Sequence, residues 1–250
     1  VVSEENLKAI KYLRDKGIRF CIATGRPEQL VKEYIDVLKM EDPCIMYNGS
    51  VIGHPRMTEN IYELRLSKDD VREIITYCEK NDIIYMPYTK EKIISKPNYR
   101  RDFFLERNKL LKEQHQAIFE DVKDIDEIVN GHHINKVLLI ENDAEKYNKV
   151  KELFMSNENH TIATSQTGFI DINPKGATKG NALKVLADYF GYSLEEIVVF
   201  GDQDNDVSML EIAGISVAME NGSKNAKAVS KFVTKSNNDN GFADWVFKNL

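Results

Sequence analysis

Near the carboxyl end, Ile197-Val198-Val199-Phe200-Gly201-Asp202-Gln203-Asp204-Asn205-Asp206 is a short apolar run that empties into three carboxylates and an amide. Alternating acids of this kind can be a solvated loop capping the next helix, or they can hold a cation. The apolar run reads as a buried parallel strand with Gly201 as its turn, which sets the acids at a strand's carboxyl end, where open α/β sheets bind ligands. A calcium loop of the EF-hand type has the same alternation but needs glycine at its sixth position and glutamate at its twelfth, and those positions hold Val207 and Ala213. The carboxylates suit instead a small hard cation such as Mg²⁺, which takes one or two acids plus phosphate oxygens.

Two other segments carry matching chemistry. Thr24-Gly25-Arg26-Pro27 follows the apolar run Ile18 to Ala23, and Thr24 and Gly25 could offer a hydroxyl and a backbone N–H to a phosphate or simply cap a helix. In Ile170-Asp171-Ile172-Asn173-Pro174-Lys175-Gly176-Ala177-Thr178-Lys179-Gly180-Asn181, two lysines flank a turn that opens a helix. A lysine in a helix's first turn faces the positive end of the dipole unless an anion balances it, so Lys179 is a candidate phosphate ligand. It is not a P-loop lysine, because Gly180 and Asn181 follow it.

The elements that must position these groups alternate at both ends of the chain. Ser3 predicts a cap for a helix ending at Gly17; Ile18 to Ala23 reads as a strand; a helix runs from Pro27 towards Leu38; and Pro43 to Tyr47 is a further apolar stretch ending at Asn48-Gly49. The closing third predicts a helix over Thr178 to Phe190, a strand into Asp202, a helix over Val207 to Ala213, and strands at Ile215 to Met219 and Phe232 to Thr234. This is the pattern of a doubly wound parallel sheet, fold class α/β. The middle is richer in Lys, Glu, Tyr and Asn, with helices over Asp69 to Asn81 and Asp143 to Phe154 and strands at Ile83 to Tyr88 and Lys136 to Ile140. We expect an α+β domain at 55–164 inserted into a sheet domain formed by 1–54 and 165–250.

A net charge of -6 over 250 residues, without a sustained basic run, argues against a nucleic-acid partner. No apolar stretch is long enough to span a bilayer, which argues against a membrane partner. Cys21, Cys44 and Cys78 are odd in number and far apart, which fits neither a metal knuckle nor a disulfide framework and points to a reducing, cytoplasmic compartment. The expected partner is a small-molecule phosphate ester, and the expected state a monomer or weak homodimer.

Ala23-Thr24-Gly25-Arg26, then Asn173-Pro174-Lys175-Gly176 to Lys179-Gly180, then Gly201-Asp202 to Asn205-Asp206, occur in the order and spacing of the later motifs of a known family. The chain resembles the haloacid dehalogenase (HAD) superfamily of phosphatases, and its late insertion looks like the C2B cap of the Cof-type subgroup. The resemblance implies a Mg²⁺-dependent phosphatase of small cytosolic esters, sugar phosphates by analogy, working through an aspartyl phosphate. It implies that Thr24 and Gly25 hold phosphoryl oxygens, that Lys179 neutralises the transferring group, and that Asp202 binds Mg²⁺ directly. Asp206 would ligate the ion through water or orient Lys179, and Asn205 would reach a phosphate oxygen or position a ligand. Asp204 and Gln203 remain loop residues.

One motif of the pattern has no counterpart. The family's first motif, Asp-x-Asp-Gly-Thr at the end of the first strand, supplies the nucleophile and the general acid, and the chain opens at Val1-Val2-Ser3, just beyond that motif by the resemblance. Asp124-Ile125-Asp126-Glu127 lies in the cap and lacks the Gly-Thr. The expectation is a longer product with its nucleophile upstream of Val1 and, without that strand, an open slot in the sheet. A phosphomutase, or a non-catalytic binder of phosphate esters, are the alternatives. Candidate contacts for the leaving group are Tyr85, Tyr88, Tyr99, Arg100, Arg101, His132 and His133.

Overall fold

The computed structural model describes residues 2–54, 59–164 and 167–250. Ser3 caps the first helix, α1 (Glu4–Asp15), by accepting the Asn6 N–H at 3.2 Å, and Ala9, Ile10 and Leu13 form its buried stripe. The segment Ile18 to Ala23, expected as a strand, is extended but pairs at one bridge only, Ala23 with Ile45. A ladder needs partners: its neighbour β1 (Cys44–Met46) is three residues long, and on the other side of the segment lies a cavity. The helix expected from Pro27 to Leu38 is also divided, into a 3-10 turn at Glu28–Leu30 and α2 (Lys32–Val37). Gln29 is drawn inward there, and its Nε2 donates to the Thr89 carbonyl at 3.2 Å.

Strand β1 turns through Tyr47-Asn48-Gly49 into β2 (Val51–Gly53), which pairs with β3 (Tyr62–Glu63), all antiparallel. A larger sheet follows. Helix α3 (Lys68–Lys80) opens with a reciprocal Ser67–Asp70 capping box and leads into β4 (Ile84–Tyr88) and β5 (Ile93–Ile94). Then come α4 (Tyr99–Asn108), β6 (Phe119–Glu120), α5 (Ile125–Gly131), β7 (Lys136–Ile140), α6 (Ala144–Met155), β8 (His160–Ala163) and β9 (Phe169–Pro174). The sheet order is β6-β5-β4-β7-β9-β8. Phe169 to Pro174, which the sequence pattern assigns to the first unit, therefore pairs with β7 and β8 in the second; its alternating apolar residues complete that sheet's core.

The side-chain alternation of this sheet matters for the site. Val137, Leu139, Ile170 and Ile172 pack with Ile74, Ile75 and Phe154 on the helix-covered face. Met86, Tyr88, Leu138 and Ile140 point the other way, into a cluster with Val31, Ile35, Met46 and Tyr47 of the first unit. By the same alternation Lys136 and Asp171 face the first unit.

The chain then returns through α7 (Lys179–Phe190), β10 (Val198–Gly201), α8 (Val207–Leu210), β11 (Ile215–Met219), α9 (Lys224–Val229), β12 (Phe232–Thr234) and α10 (Gly241–Asn249). Strands β10, β11 and β12 are parallel and in that order. On one face Val199 packs with Ala182, Leu183 and Met209 of α7 and α8. On the other, Phe200 meets Phe242 and Trp245 of α10 edge to face, at 5.0 and 5.4 Å between ring centres. Helices on both faces of a parallel sheet give the doubly wound class. Between Ile18–Ala23 and β10 lies an apolar cavity of about 530 Å³, lined by Leu13, Ile22, Leu183, Val199 and Val246 among others.

Candidate active site

Three junctions meet above the carboxyl end of β10: the loop after Ala23, the first turn of α7, and the loop after Gly201. They line one cleft of about 460 Å³, which the second sheet closes with Tyr88, Lys136 and Asp171. Thr24, Gly25, Lys179, Asp202, Asn205 and Asp206 all border it, so the residues expected to hold phosphate and metal lie together on this cleft.

Lys179 is the first residue of α7, whose N-cap Thr178 accepts the Asn181 N–H at 3.1 Å. Its ammonium, electrostatically misplaced at a helix start, is balanced by Asp206: Nζ to Oδ1 is 2.5 Å, with Lys179 5% and Asp206 3% exposed. The other oxygen of Asp206 accepts the N–H groups of Asp202 and Gln203 at 2.8 and 3.0 Å, so both its oxygens are engaged. Gly201 is required by this packing, since a Cβ there would stand 2.6 Å from the Asp206 Cβ.

Asp202 is placed differently. Burial, and then the negative charge of Asp206, push its carboxyl above the ordinary range. A divalent cation would reverse both effects, and one carboxylate beside a phosphate-sized cleft is a donor set that Mg²⁺ accepts with water and substrate oxygens completing its shell. Among the described residues no cluster of three or more acidic, His or Cys side chains forms a cage that would hold a metal unaided. Asp204, by contrast, lies outside the cleft lining and accepts from Asn225 Nδ2 at 3.3 Å.

Thr24 spends its backbone N–H on the Ile45 carbonyl at 2.8 Å, and its Oγ1 accepts the Arg26 N–H at 3.1 Å, leaving the hydroxyl proton to donate elsewhere. Among the described residues the Gly25 N–H has no acceptor.

Three residues of the cleft's frame are not singled out by the sequence reading. Asn48, buried and left-handed at φ 57°, accepts from Asn205 Nδ2 at 3.0 Å and donates through its own Nδ2 to Asp171 Oδ2 at 3.0 Å. Asp171 Oδ1 pairs with Lys136 Nζ at 2.9 Å, and Lys136 also donates to the Gly25 carbonyl at 2.9 Å. The ring of contacts ties the Thr24 loop, the Asn48 turn and the acidic loop to the second sheet. Next to Asn48, Gly49 adopts φ +106° and a Cβ there would lie 2.2 Å from the Thr178 carbonyl, so this turn seats directly on the start of α7. The available signal was alternation: Lys136 and Asp171 are charged residues on otherwise apolar strands, and Asn48-Gly49 reads as no more than a turn.

Of the leaving-group candidates, Tyr88 and Arg100 line the cleft. Tyr85 donates to Glu79 at 2.8 Å, Arg101 is paired with Asp121, and His132 lies 3.6 Å from Glu120, all elsewhere. Tyr99 and His133 are exposed and outside the lining.

A family model described as haloacid dehalogenase-like hydrolase matches residues 1–246. The 5-amino-6-(5-phospho-D-ribitylamino)uracil phosphatase YwtE of Bacillus subtilis is 31% identical over 265 residues, spanning 98% of this chain and 91% of that protein. Its namesake YitU of the same organism is 27% identical over 253 residues, 97% of this chain and 88% of that protein. Among solved structures, a haloacid dehalogenase-like hydrolase from B. subtilis superposes with a TM-score of 0.87 at 27% identity, covering 100% of this chain and 94% of its own. The HAD subclass IIB sugar phosphatase BT4131 superposes with a TM-score of 0.82 at 25% identity, covering 98% and 91%. With a family match over nearly its whole length and the family's later motifs gathered on one cleft, the chain belongs to the haloacid dehalogenase-like hydrolases.

Proposed function

We propose that this hydrolase is a Mg²⁺-dependent phosphatase of small phosphate esters, acting in the cytoplasm through an aspartyl phosphate. The observation that carries the reading is the buried Lys179–Asp206 pair set beside Asp202 and facing Thr24-Gly25 across one cleft. Thr24 Oγ and the Gly25 N–H have donors to spare for phosphoryl oxygens. Lys179, held by Asp206, neutralises their charge without having to be reorganised. Asp206 orients Lys179, since neither of its oxygens is free for a metal. Asp202 holds Mg²⁺, which when bound would polarise the phosphoryl group. Asn205, fixed by Asn48, reaches a phosphate oxygen. We take the division into a catalytic unit and a cap to follow the sheets, with β9 belonging to the cap.

The nucleophile needs a carboxylate that this cleft does not offer among the described residues. Asp171 is tied to Lys136 and Asn48, Asp206 to Lys179, and Asp202 is taken as the metal ligand. We assign the nucleophile to a strand that fills the apolar cavity beside β10. Ala23 and Phe200 line both that cavity and the cleft, so a parallel strand seated there would release its carboxyl end into the site. As for the substrate, YwtE is named for a phosphorylated ribityl compound and BT4131 as a sugar phosphatase, which favours a phosphate on a sugar-derived carbon chain. Cys21, Cys44 and Cys78 are all free thiols, which fits a reducing compartment.

The test is phosphate release from sugar phosphates by the chain carrying an apolar strand ending in Asp-x-Asp-Gly-Thr ahead of Val1. Turnover should require Mg²⁺ and vanish in Asp202→Ala; substantial activity in that variant refutes the metal assignment. Isomerised ester in place of free phosphate would make the protein a mutase. Tight Mg²⁺-dependent ester binding with no turnover would make it a binder.

A further inference from the structure

Four cations line the cleft, and two of them are spoken for. Lys179 is held by Asp206 and Lys136 by Asp171. Arg26 and Arg100 have no carboxylate partner among the described residues, although both border the cleft. Arg26 is exposed and lies over the Tyr34 ring. Arg100 stands at the start of α4 and is half-buried among rings, its Cζ 5.1, 4.7 and 4.9 Å from the centres of Phe103, Phe104 and Phe169. Its Nε is buried and has no hydrogen-bond partner. Arg101, next in the chain, pairs with Asp121 and donates to the Ser95 carbonyl at 2.5 Å, so acceptors for a guanidinium exist in this part of the fold and Arg100 does not use them.

Aromatic faces hold and orient a guanidinium, but they leave its in-plane N–H fork unsatisfied. The ring faces offset only part of the cost of half-burying this cation, because its buried Nε–H still lacks an acceptor. Burial and the like charge of Arg26 both work against its charged form. An anion received in the cleft would relieve both. Leu138, Phe169 and Tyr88 give the cleft an apolar and aromatic part that suits the carbon chain of an ester, beside Lys136 and Asp171, which neutralise each other.

We propose that Arg100 determines substrate specificity by receiving a second anionic group, a carboxylate or a phosphate, on the alcohol portion of the phosphate ester. This rests on the phosphatase reading of the cleft, with the reacting phosphate at Lys179 and the second acid at Arg100. The preferred substrates are then sugar-derived phosphates that are also acids, ahead of neutral sugar phosphates.

The experiment is calorimetric titration of the chain, in Mg²⁺, with matched ligands: 3-phosphoglycerate against glycerol 3-phosphate, and fructose 1,6-bisphosphate against fructose 1-phosphate. A charge-assisted fork to Arg100 should favour the diacid in at least one pair by about ten- to a hundredfold. In Arg100→Gln that preference should disappear, with the loss falling on the diacid, whereas Arg100→Lys should keep part of it. Equal affinities within both pairs for the unaltered protein, binding of none of the four, or a preference that survives Arg100→Gln would overturn the proposal. Because binding is read directly, failure of the phosphatase reading would appear separately, as a preserved preference with no phosphate release from the strand-bearing chain.

Discussion

Two cavities share Ala23 and Phe200 as a common wall and are built on opposite principles. In the cleft, buried charge is matched locally: Lys179 with Asp206, Lys136 with Asp171, and Asn48 bridging two loops. The slot beside β10 is lined mainly by aliphatic and aromatic side chains, with Arg19 and Glu196 also bordering it, and among the described residues β10 is paired along one edge only. Four of the charged side chains of the cleft are paired with one another, and Asp202, Arg26 and Arg100 are not in such pairs among the described residues; two of these, with the spare donors of Thr24 and Gly25, are where ligands are proposed. The slot leaves a strand edge and apolar walls unpaired, which is why the nucleophile-bearing strand is proposed to sit there.

Breaking the matched charge should have the largest effect. Asp206→Ala leaves Lys179 buried without a counter-ion and is expected to lower stability by about 3–5 kcal/mol in urea unfolding, with loss of turnover as well. An unchanged midpoint would mean that the pair is solvated. On the slot side, Phe200→Ala removes the ring that both cavities share, together with its edge contacts to Phe242 and Trp245. Because Phe200 is partly exposed, a loss of about 2–3 kcal/mol is expected, at or below the low end for core aromatics. A peptide strand that fills the slot should recover part of that loss in thermal melts if the cavity accepts a strand.

Two carboxylates sharpen the comparison further. Burial alone would raise Glu63, but hydrogen bonds from Arg65, Asn135 and Asn60 outweigh it and hold the group down at about 2. Its contribution to stability is present above the ordinary value of 4.5 and is lost as pH falls from there through about 2. Glu63→Gln should therefore cost about 1 kcal/mol at neutral pH and flatten that acid limb of the stability curve. Asp202 has the opposite sign. Its raised value means that ionisation in the folded state costs stability as pH rises through that value, so Asp202→Asn should raise the Tm of the metal-free protein slightly at neutral pH. The same variant should lose any Tm increase on adding Mg²⁺; a Mg²⁺ shift that persists would move the metal away from Asp202.

The acidic loop, the lysine at a helix start and the hydroxyl at a strand end were legible as candidate site groups because each sits at a junction that local patterns mark: an apolar run, a turn residue, a cap. Strands β10, β11 and β12 and most of the helices were legible for the same reason. Ile18 to Ala23 shows the limit. Its apolar pattern is that of a strand, but strand formation depends on partners, and among the described residues only Ile45 bridges to it, at Ala23. Phe169 to Pro174 was not read as a strand, and its place in the second sheet depends on pairing between β7, β8 and β9, a contact across sequence. Lys136, Asp171 and Asn48 became site residues only when the second sheet was laid over the first unit, and Arg100 was separated from Arg101 by which of the two found an aspartate. Local residue type determined which groups could bind phosphate and metal. Tertiary structure decided which charges are already neutralised and which are left for a ligand, because neutralisation depends on distances of a few ångströms between segments far apart in the chain.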